Sequence, residues 1–286
     1  MIYIITMHHN TDKFLALQAR YLYEYTSEDY RVFCGVSGFG EISGTQPRHI
    51  KNHLFIDLSP IYNQHWFRMN YIYDAIAKGL SEGTITGIEH ATFQPDDLLV
   101  FLDGDAFPMD TWVPKIRDYL SSAQAASVYR LENPEPLLDE QHKPYPHPLF
   151  FVTRAAFWEK YDLMWEHWEE YGISTPGPLL KRWFMGNNFE IAPLTRTNAF
   201  DIHPVFFGIY DEIIYHHGAS AGVTSVYDSV DIWNRPALAE KYGTSLDLKH
   251  PVIPEFNAKL SQVVYDEILQ NDNFIKIYLG GAEYTV

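Results

Sequence analysis

Apolar positions along this chain follow two alternating rhythms. Residues 1–6, 30–36, 54–58 and 97–102 form short apolar runs bounded by polar turns, as buried strands do. Between them, residues 13–25 and 64–80 carry apolar and aromatic side chains at helical spacing, with Trp66, Asn70, Tyr73 and Ala77 along one side of the second helix. Residues 7–12 read as a polar turn. Strands alternating with helices predict a largely parallel sheet joined by right-handed crossovers. The pattern continues with a helix over 111–120 and a strand over 126–131. A proline-rich stretch, 133–148, then breaks the rhythm. Beyond it the spacing predicts a strand at 149–152, an aromatic helix around 158–171, a Pro/Gly turn at 175–178, a strand at 212–216 and an amphipathic helix over 256–269. No internal repeat or low-complexity segment interrupts the 286 residues.

Composition narrows the function classes. The chain is 46% hydrophobic and 20% charged, ordinary for a globular protein with a sizeable core. Lys and Arg total 21 against 37 Asp and Glu, a net charge of −16, which argues against nucleic-acid or anionic-membrane partners. An anionic ligand approaching this surface needs local help from a cation or a few placed basic groups. The single cysteine, Cys34, lies in an apolar run and reads as a buried small hydrophobe. The first residues lack a basic leader and a small-residue cleavage site, and no apolar run reaches the ~18 residues of a membrane span. These features predict a cytoplasmic protein.

The chemistry concentrates where the strand at 97–102 runs into Asp103-Gly104-Asp105. In an extended segment, alternate side chains share a face. Two carboxylates therefore meet at the carboxyl end of a buried strand, where open α/β sheets place their ligands. Such an oxygen-rich site suits Mg²⁺ or Mn²⁺, although Asp and Gly are also ordinary turn residues. The first turn lacks G-x-G-x-x-G, and G-x-x-x-x-G-K-[ST] is absent throughout, which counts against dinucleotide and P-loop sites. The absence of a glycine-rich basic loop after the first strand weakens a sugar nucleotidyltransferase reading.

The strand-first sheet, Phe101-Leu-Asp-Gly-Asp-Ala-Phe-Pro108, His147-Pro-Leu-Phe-Phe-Val-Thr-Arg154, His203-Pro-Val-Phe-Phe-Gly-Ile-Tyr210 and Ile214-Tyr-His-His-Gly218 together resemble GT-A-type nucleotide-sugar-dependent glycosyltransferases over roughly residues 1–220. The resemblance implies a Rossmann-like α/β fold, a mostly parallel central sheet flanked by helices with a loop-rich C-terminal half. It implies a single domain over 1–286: a nucleotide-sugar-binding half at 1–130, an acceptor-binding half at 131–253 and a helical tail at 254–286. It also implies Mn²⁺ or Mg²⁺ bridging the diphosphate of a donor, a UDP-sugar before a GDP-sugar. Asp105 is then a direct metal ligand, Asp103 touches the metal or the ribose beside Gly104, and His217 or His216 completes the coordination.

Other assignments follow with the same resemblance. Thr6, His8 and Asn10 lie at the end of the first strand, where the donor nucleoside belongs, and Arg68 and Asn70 stand on the helix before the Asp-x-Asp. A polar loop or a solvated helix face would explain these residues equally well. A carbohydrate or glycan acceptor calls for aromatic faces and short polar groups. Trp183, Asn187, Asn188 and His147 are the candidates, with core packing as the alternative for the aromatics. An inverting transferase needs a carboxylate base, and Glu190, Asp201 and Asp211 all lie in the relevant half. Two other classes stay open: a metal-dependent phosphoester hydrolase, and a non-catalytic carbohydrate-binding protein on the same fold.

Overall fold

The computed structural model describes residues 1–9, 12–38, 47–61, 64–78, 91–130, 144–166, 176–197 and 208–218. The chain begins β1 (Ile2–His9), α1 (Lys13–Tyr25), β2 (Tyr30–Ser37), α2 (Pro47–Ile50), β3 (His53–Asp57), α3 (His65–Lys78) and β4 (Leu98–Asp103). It continues with β5 (Ala106–Pro108), α4 (Val113–Ser122), β6 (Ala125–Arg130), β7 (Tyr145–Arg154), α5 (Ala155–Lys160), α6 (Gly177–Gly186), β8 (Ile191–Leu194), β9 (Gly208–Tyr210) and β10 (Ile214–His216).

Seven strands form one sheet in the order β3-β2-β1-β4-β7-β6-β8. All run parallel except β7, which pairs antiparallel with both β4 and β6. Two consequences follow. The carboxyl ends of β1, β2, β3, β4, β6 and β8 share one edge of the sheet, and β7 starts on that edge and ends on the opposite, amino edge. The strand order also reverses between β1 and β4, a topological switch point of the kind at which such sheets bind ligands. A second sheet, β5-β10-β9, is antiparallel and hangs beyond the end of β4.

The two faces of the large sheet explain the apolar pattern. On β4, Leu98, Val100 and Leu102 enter a core with Leu15 and Leu22 of α1, Trp112 just before α4, and Ile116 and Leu120 of α4. Leu99 and Phe101 point the other way, into a core with Met69, Ile72 and Ile76 of α3, Trp158 of α5 and Phe184 of α6. A central strand buried on both faces must read as an unbroken apolar run. Cys34 is buried on β2, its thiol pKa pushed up by desolvation, so it packs and does not react.

Several boundaries differ from the sequence reading. β1 continues through His9, so Met7, His8 and His9 belong to a strand and not a turn. The aromatic helix stops at Lys160, and Trp165 lies buried in irregular chain beyond it. Gly177 and Pro178 open α6, because a proline is tolerated in the first turn of a helix and helix spacing there is set by Leu180 and Phe184. The helix expected over 256–269 lies outside the described residues.

Candidate metal centre at the carboxyl edge

Asp103 ends β4, Gly104 and Asp105 turn the chain, and β5 follows at once. β5 pairs with β10 so that Ala106 faces His216, which brings a histidine from a distant segment back to the carboxylates. Single ligand atoms of Asp103, Asp105 and His216 lie within 4.8 Å of one another. His216 Nε2 stands 3.7 Å from Asp103 Oδ2 and 3.4 Å from Asp105 Oδ1. Both Asp105 and His216 are buried, and Asp103 is half-buried. The pair meets through a turn, and not through the extended strand that the i, i+2 spacing suggests.

Crowding decides the residue between them. A Cβ on Gly104 would lie 2.1 Å from Met7 O on β1 and 3.1 Å from His8 Nδ1, so only glycine lets the loop lie this close to its neighbour. The donor set is right for a cation. Two oxygens and an imidazole nitrogen converge, and Asp103 Oδ1 is buried without a hydrogen-bond donor among the described residues. Its nearest cationic candidate is His65 Nε2 at 3.1 Å, from the first residue of α3. An oxygen, oxygen, nitrogen set of this kind accommodates Mn²⁺ well and Mg²⁺ less readily.

The neighbouring histidines divide by environment. His217 sits beside the cluster but is not among the three converging residues. Its Nδ1 is 3.0 Å from the Tyr215 hydroxyl, its ring packs on Phe14 at 4.7 Å, and its backbone N–H donates to Asp105 O at 3.0 Å. Burial pushes its pKa down to about 3, against the opposing pull of Asp105. Burial likewise brings His8 down to about 4. Both rings are neutral at ordinary pH.

The expected donor residues fare differently. Thr6 is fully buried and donates to Gln18 Oε1 at 3.0 Å, so it supports the core of the site instead of lining it. His8 lies beside Gly104 at the carboxyl edge, and Asn10 falls outside the described residues. Arg68 is buried at the same edge. It donates to Ser37 Oγ at 3.0 Å and to the carbonyls of Leu58 and Ile61 at 3.2 Å, and no carboxylate among the described residues pairs with it. Asn70 is a clasp: its Nδ2 donates to Trp165 O at 2.7 Å and its Oδ1 accepts from Trp165 N at 2.9 Å, so both ends of its amide are spent on one backbone.

Most of the expected acceptor and catalytic residues belong elsewhere. α6 starts against β7's first residues, where a Cβ on Gly177 would lie 1.9 Å from Pro146 O, and it runs away from the carboxyl edge. Its end is therefore on the amino edge. Asn187 donates its Nδ2 to Trp183 O at 2.8 Å as a helix cap, and Asn188 takes the left-handed φ of 56° that such a terminus needs. Trp183 joins Phe157, Tyr161 and Phe189 in an aromatic cluster on that side. Glu190 precedes β8, with its backbone bonded to Gln124, and its exposed side chain faces solvent at the amino edge, away from the carboxylates. Asp211, at φ 50° in the β9–β10 turn, accepts from Tyr119 Oη at 2.6 Å and from Thr195 N at 3.1 Å, which commits both oxygens to holding that turn. Asp201 lies outside the described residues. His147 alone of the acceptor candidates is on the carboxyl edge, where the β6–β7 register shifts and its Nδ1 accepts from Leu149 N at 3.1 Å.

Two residues outside the assigned site stand out. His65 carried only a weak signal as a donor contact, and the structure sets it against Asp103. Gln18 carried none, since a polar residue on an amphipathic helix is usually solvated, yet it is fully buried.

No protein-family model matches the chain, and no curated protein matches it. Among solved structures, the chain is similar to a galactosyltransferase, LgtC, in complex with donor and acceptor sugar analogues, at 13% identity and a TM-score of 0.46, covering 86% of this chain and 98% of that one. It is similar to a mannosyltransferase, PcManGT from Pyrobaculum calidifontis, in complex with GDP-Man and Mn²⁺, at 12% identity and a TM-score of 0.46, covering 99% of this chain and 76% of that one. A third similar structure is S. aureus TarS 1–349 in complex with UDP-GlcNAc, at 11% identity and a TM-score of 0.41, covering 98% of this chain and 76% of that one.

Proposed function

We propose that the protein is a metal-dependent glycosyltransferase that moves a sugar from a nucleoside-diphosphate donor, a UDP-sugar before a GDP-sugar, to a carbohydrate or glycan acceptor. One observation carries the reading: Asp103, Asp105 and His216 converge at the carboxyl edge of a mostly parallel sheet, next to its switch point. Those three residues would hold Mn²⁺ or Mg²⁺. When bound, the cation supplies Lewis-acid stabilisation for the charge that develops on a departing diphosphate.

The chain's own residues do the rest. In a molecule of net charge −16, the two converging carboxylates repel an anionic donor unless a cation offsets them, which couples donor binding to metal binding. His65, partly exposed, stands 3.1 Å from Asp103 Oδ1 at the rim of the cluster. His8 and Arg68, at the ends of β1 and beside β2, contact the nucleoside side of the donor, and His147 contacts the acceptor. Neutral His8 offers hydrogen bonding without adding charge. The exposed Glu190 at the amino edge and Asp211, with both carboxylate oxygens hydrogen-bonded, are poorly placed as bases in this reading, which leaves Asp201 as the carboxylate to test.

A phosphoesterase of the two-metal kind would need a second cluster of ligands. The described residues contain one such group, and His8, which that reading would enlist, is bonded to Gln18. The deciding experiment is calorimetric titration of UDP and GDP, with and without Mn²⁺, into wild type and Asp105→Ala. Binding of one nucleotide that requires Mn²⁺ and is lost in the variant is the expected result. Failure of both nucleotides to bind wild type under any condition would reduce the Asp-x-Asp to a structural turn and overturn the reading.

A further inference from the structure

Gln18 lies on α1, is fully buried, and uses its whole side-chain amide. Nε2 donates to Asp103 O at 2.8 Å and to Ala106 O at 2.7 Å. Oε1 accepts from Thr6 Oγ1 at 3.0 Å and lies 3.2 Å from His8 Nε2. Two backbone carbonyls can only be met by an amide nitrogen, so the orientation of the group is settled by its partners. Both hydrogens and both lone pairs are then spent. The oxygen in turn requires a proton on His8 Nε2, which leaves His8 Nδ1, the atom beside Gly104, as an acceptor.

The bonded carbonyls belong to the residues immediately before and after Gly104-Asp105. The loop is thus fastened at both ends to one rigid helix. Two carboxylates turned toward each other repel, and a short loop between two strands would relieve that repulsion by opening. A buried amide worth two hydrogen bonds resists the opening, and the low dielectric around it strengthens the hold.

We propose that Gln18 is a positioning residue of the metal loop: its amide keeps the Asp103 and Asp105 carboxylates directed at His216 and holds His8 in the Nε2–H form. The inference rests on the metal reading above and adds a residue that meets the metal loop only through its backbone carbonyls and lends no ligand atom of its own. Partners behind a ligating group set metal affinity, and their loss costs roughly 10–100-fold.

The test is Mn²⁺ titration, followed by the electron paramagnetic resonance signal of the free ion, into wild type, Gln18→Glu, Gln18→Met and Gln124→Met. Gln18→Glu is isosteric, keeps an acceptor for Thr6 and His8, and removes both N–H donors. Gln124 serves as the control because its Oε1 accepts from Glu190 N at 2.8 Å on the amino edge. Both Gln18 variants are expected to bind Mn²⁺ about 10–100-fold more weakly, whereas Gln124→Met melts lower and binds as wild type does. Long-range ¹H–¹⁵N spectra should find His8 as the Nε2–H tautomer in wild type and mixed in Gln18→Met. Gln18 variants that melt lower but keep wild-type Mn²⁺ affinity would make Gln18 an ordinary core amide and overturn the inference alone. Absence of Mn²⁺ binding by wild type would overturn it together with the functional reading. Should the Gln18 variants not fold, Thr6→Val is expected to weaken Mn²⁺ binding by several-fold, and unchanged affinity there counts against the inference equally.

Discussion

The two edges of the large sheet are built on opposite principles. At the amino edge the residues expected to bind or react serve structure: Asn187 and Asn188 end a helix, Glu190's backbone meets Gln124, and Trp183 packs with Phe157, Tyr161 and Phe189. At the carboxyl edge, like charges are brought together, Asp103 Oδ1 and His216 Nδ1 are buried without hydrogen-bond partners among the described residues, and backbone passes within a Cβ's reach of backbone at Gly104. Unsatisfied buried groups cost stability, on the order of 1–3 kcal/mol each. Buried ring nitrogens of His53 and Trp158 lack partners too, but among the described residues it is the carboxyl edge that gathers such atoms around converging carboxylates, a pattern that marks selection for something besides folding.

This contrast can be broken by mutation. Trp158→Ala removes a fully buried indole from the core beneath the amino edge and is expected to cost about 3–5 kcal/mol of stability while leaving the Mn²⁺ affinity of the folded protein unchanged. Denaturant unfolding and metal titration of the same preparation check both halves. Two glycines sharpen the comparison. Gly104→Ala forces backbone apart and is expected to lose about 1–3 kcal/mol and most of the metal affinity. Gly186→Ala meets open space at the end of α6 and should gain about 0.4–1 kcal/mol with no effect on metal.

Acidity acts on both edges through histidine. His8 at the carboxyl edge and His53 at the start of β3 are each lowered from 6.5 to about 4 by burial. A depressed histidine binds fewer protons folded than unfolded, so its neutral form is fully compatible with the fold above about pH 6.5. Stability is expected to decline as the pH falls from about 6.5 toward about 4, steeper than one group alone would give. Denaturant midpoints at successive pH values measure the slope, and His53→Phe should flatten it. The smallest effect is reserved for Glu190→Gln, where kcat is expected to stay within about twofold, since an exposed side chain away from the site changes little. A large loss of kcat there would reverse the assignment of the two edges.

Much of the fold was legible because its strands are simple. Residues 97–102 had to be buried on both faces, and the helical spacing of 13–25 matched α1 at both ends. The Asp-Gly-Asp was visible for the same reason, as polar residues ending an apolar run. What could not be read was direction. A sequence does not state that β7 runs against its neighbours, and that reversal is what puts α5 at the amino edge, while α6 runs there from the start of β7 with Trp183, Asn187 and Asn188. Asp211 and Glu190 likewise had the right chemistry in the right half of the chain but lie in a stapled turn and on the far edge. Choosing His216 from the pair needed the β5–β10 register, a pairing of three-residue strands too short to carry a periodic signal.

That pairing has a bearing on synthesis. Ala106 and His216 meet from about a hundred residues apart in the chain, and contacts so distant in sequence are slow to form because loop closure must precede any gain from them. The ribosome delivers Asp103 and Asp105 long before the imidazole that joins them. A nascent or wrongly registered chain therefore carries the two carboxylates as a bare acidic turn, and tight uptake of a cation would report that the polypeptide had finished folding.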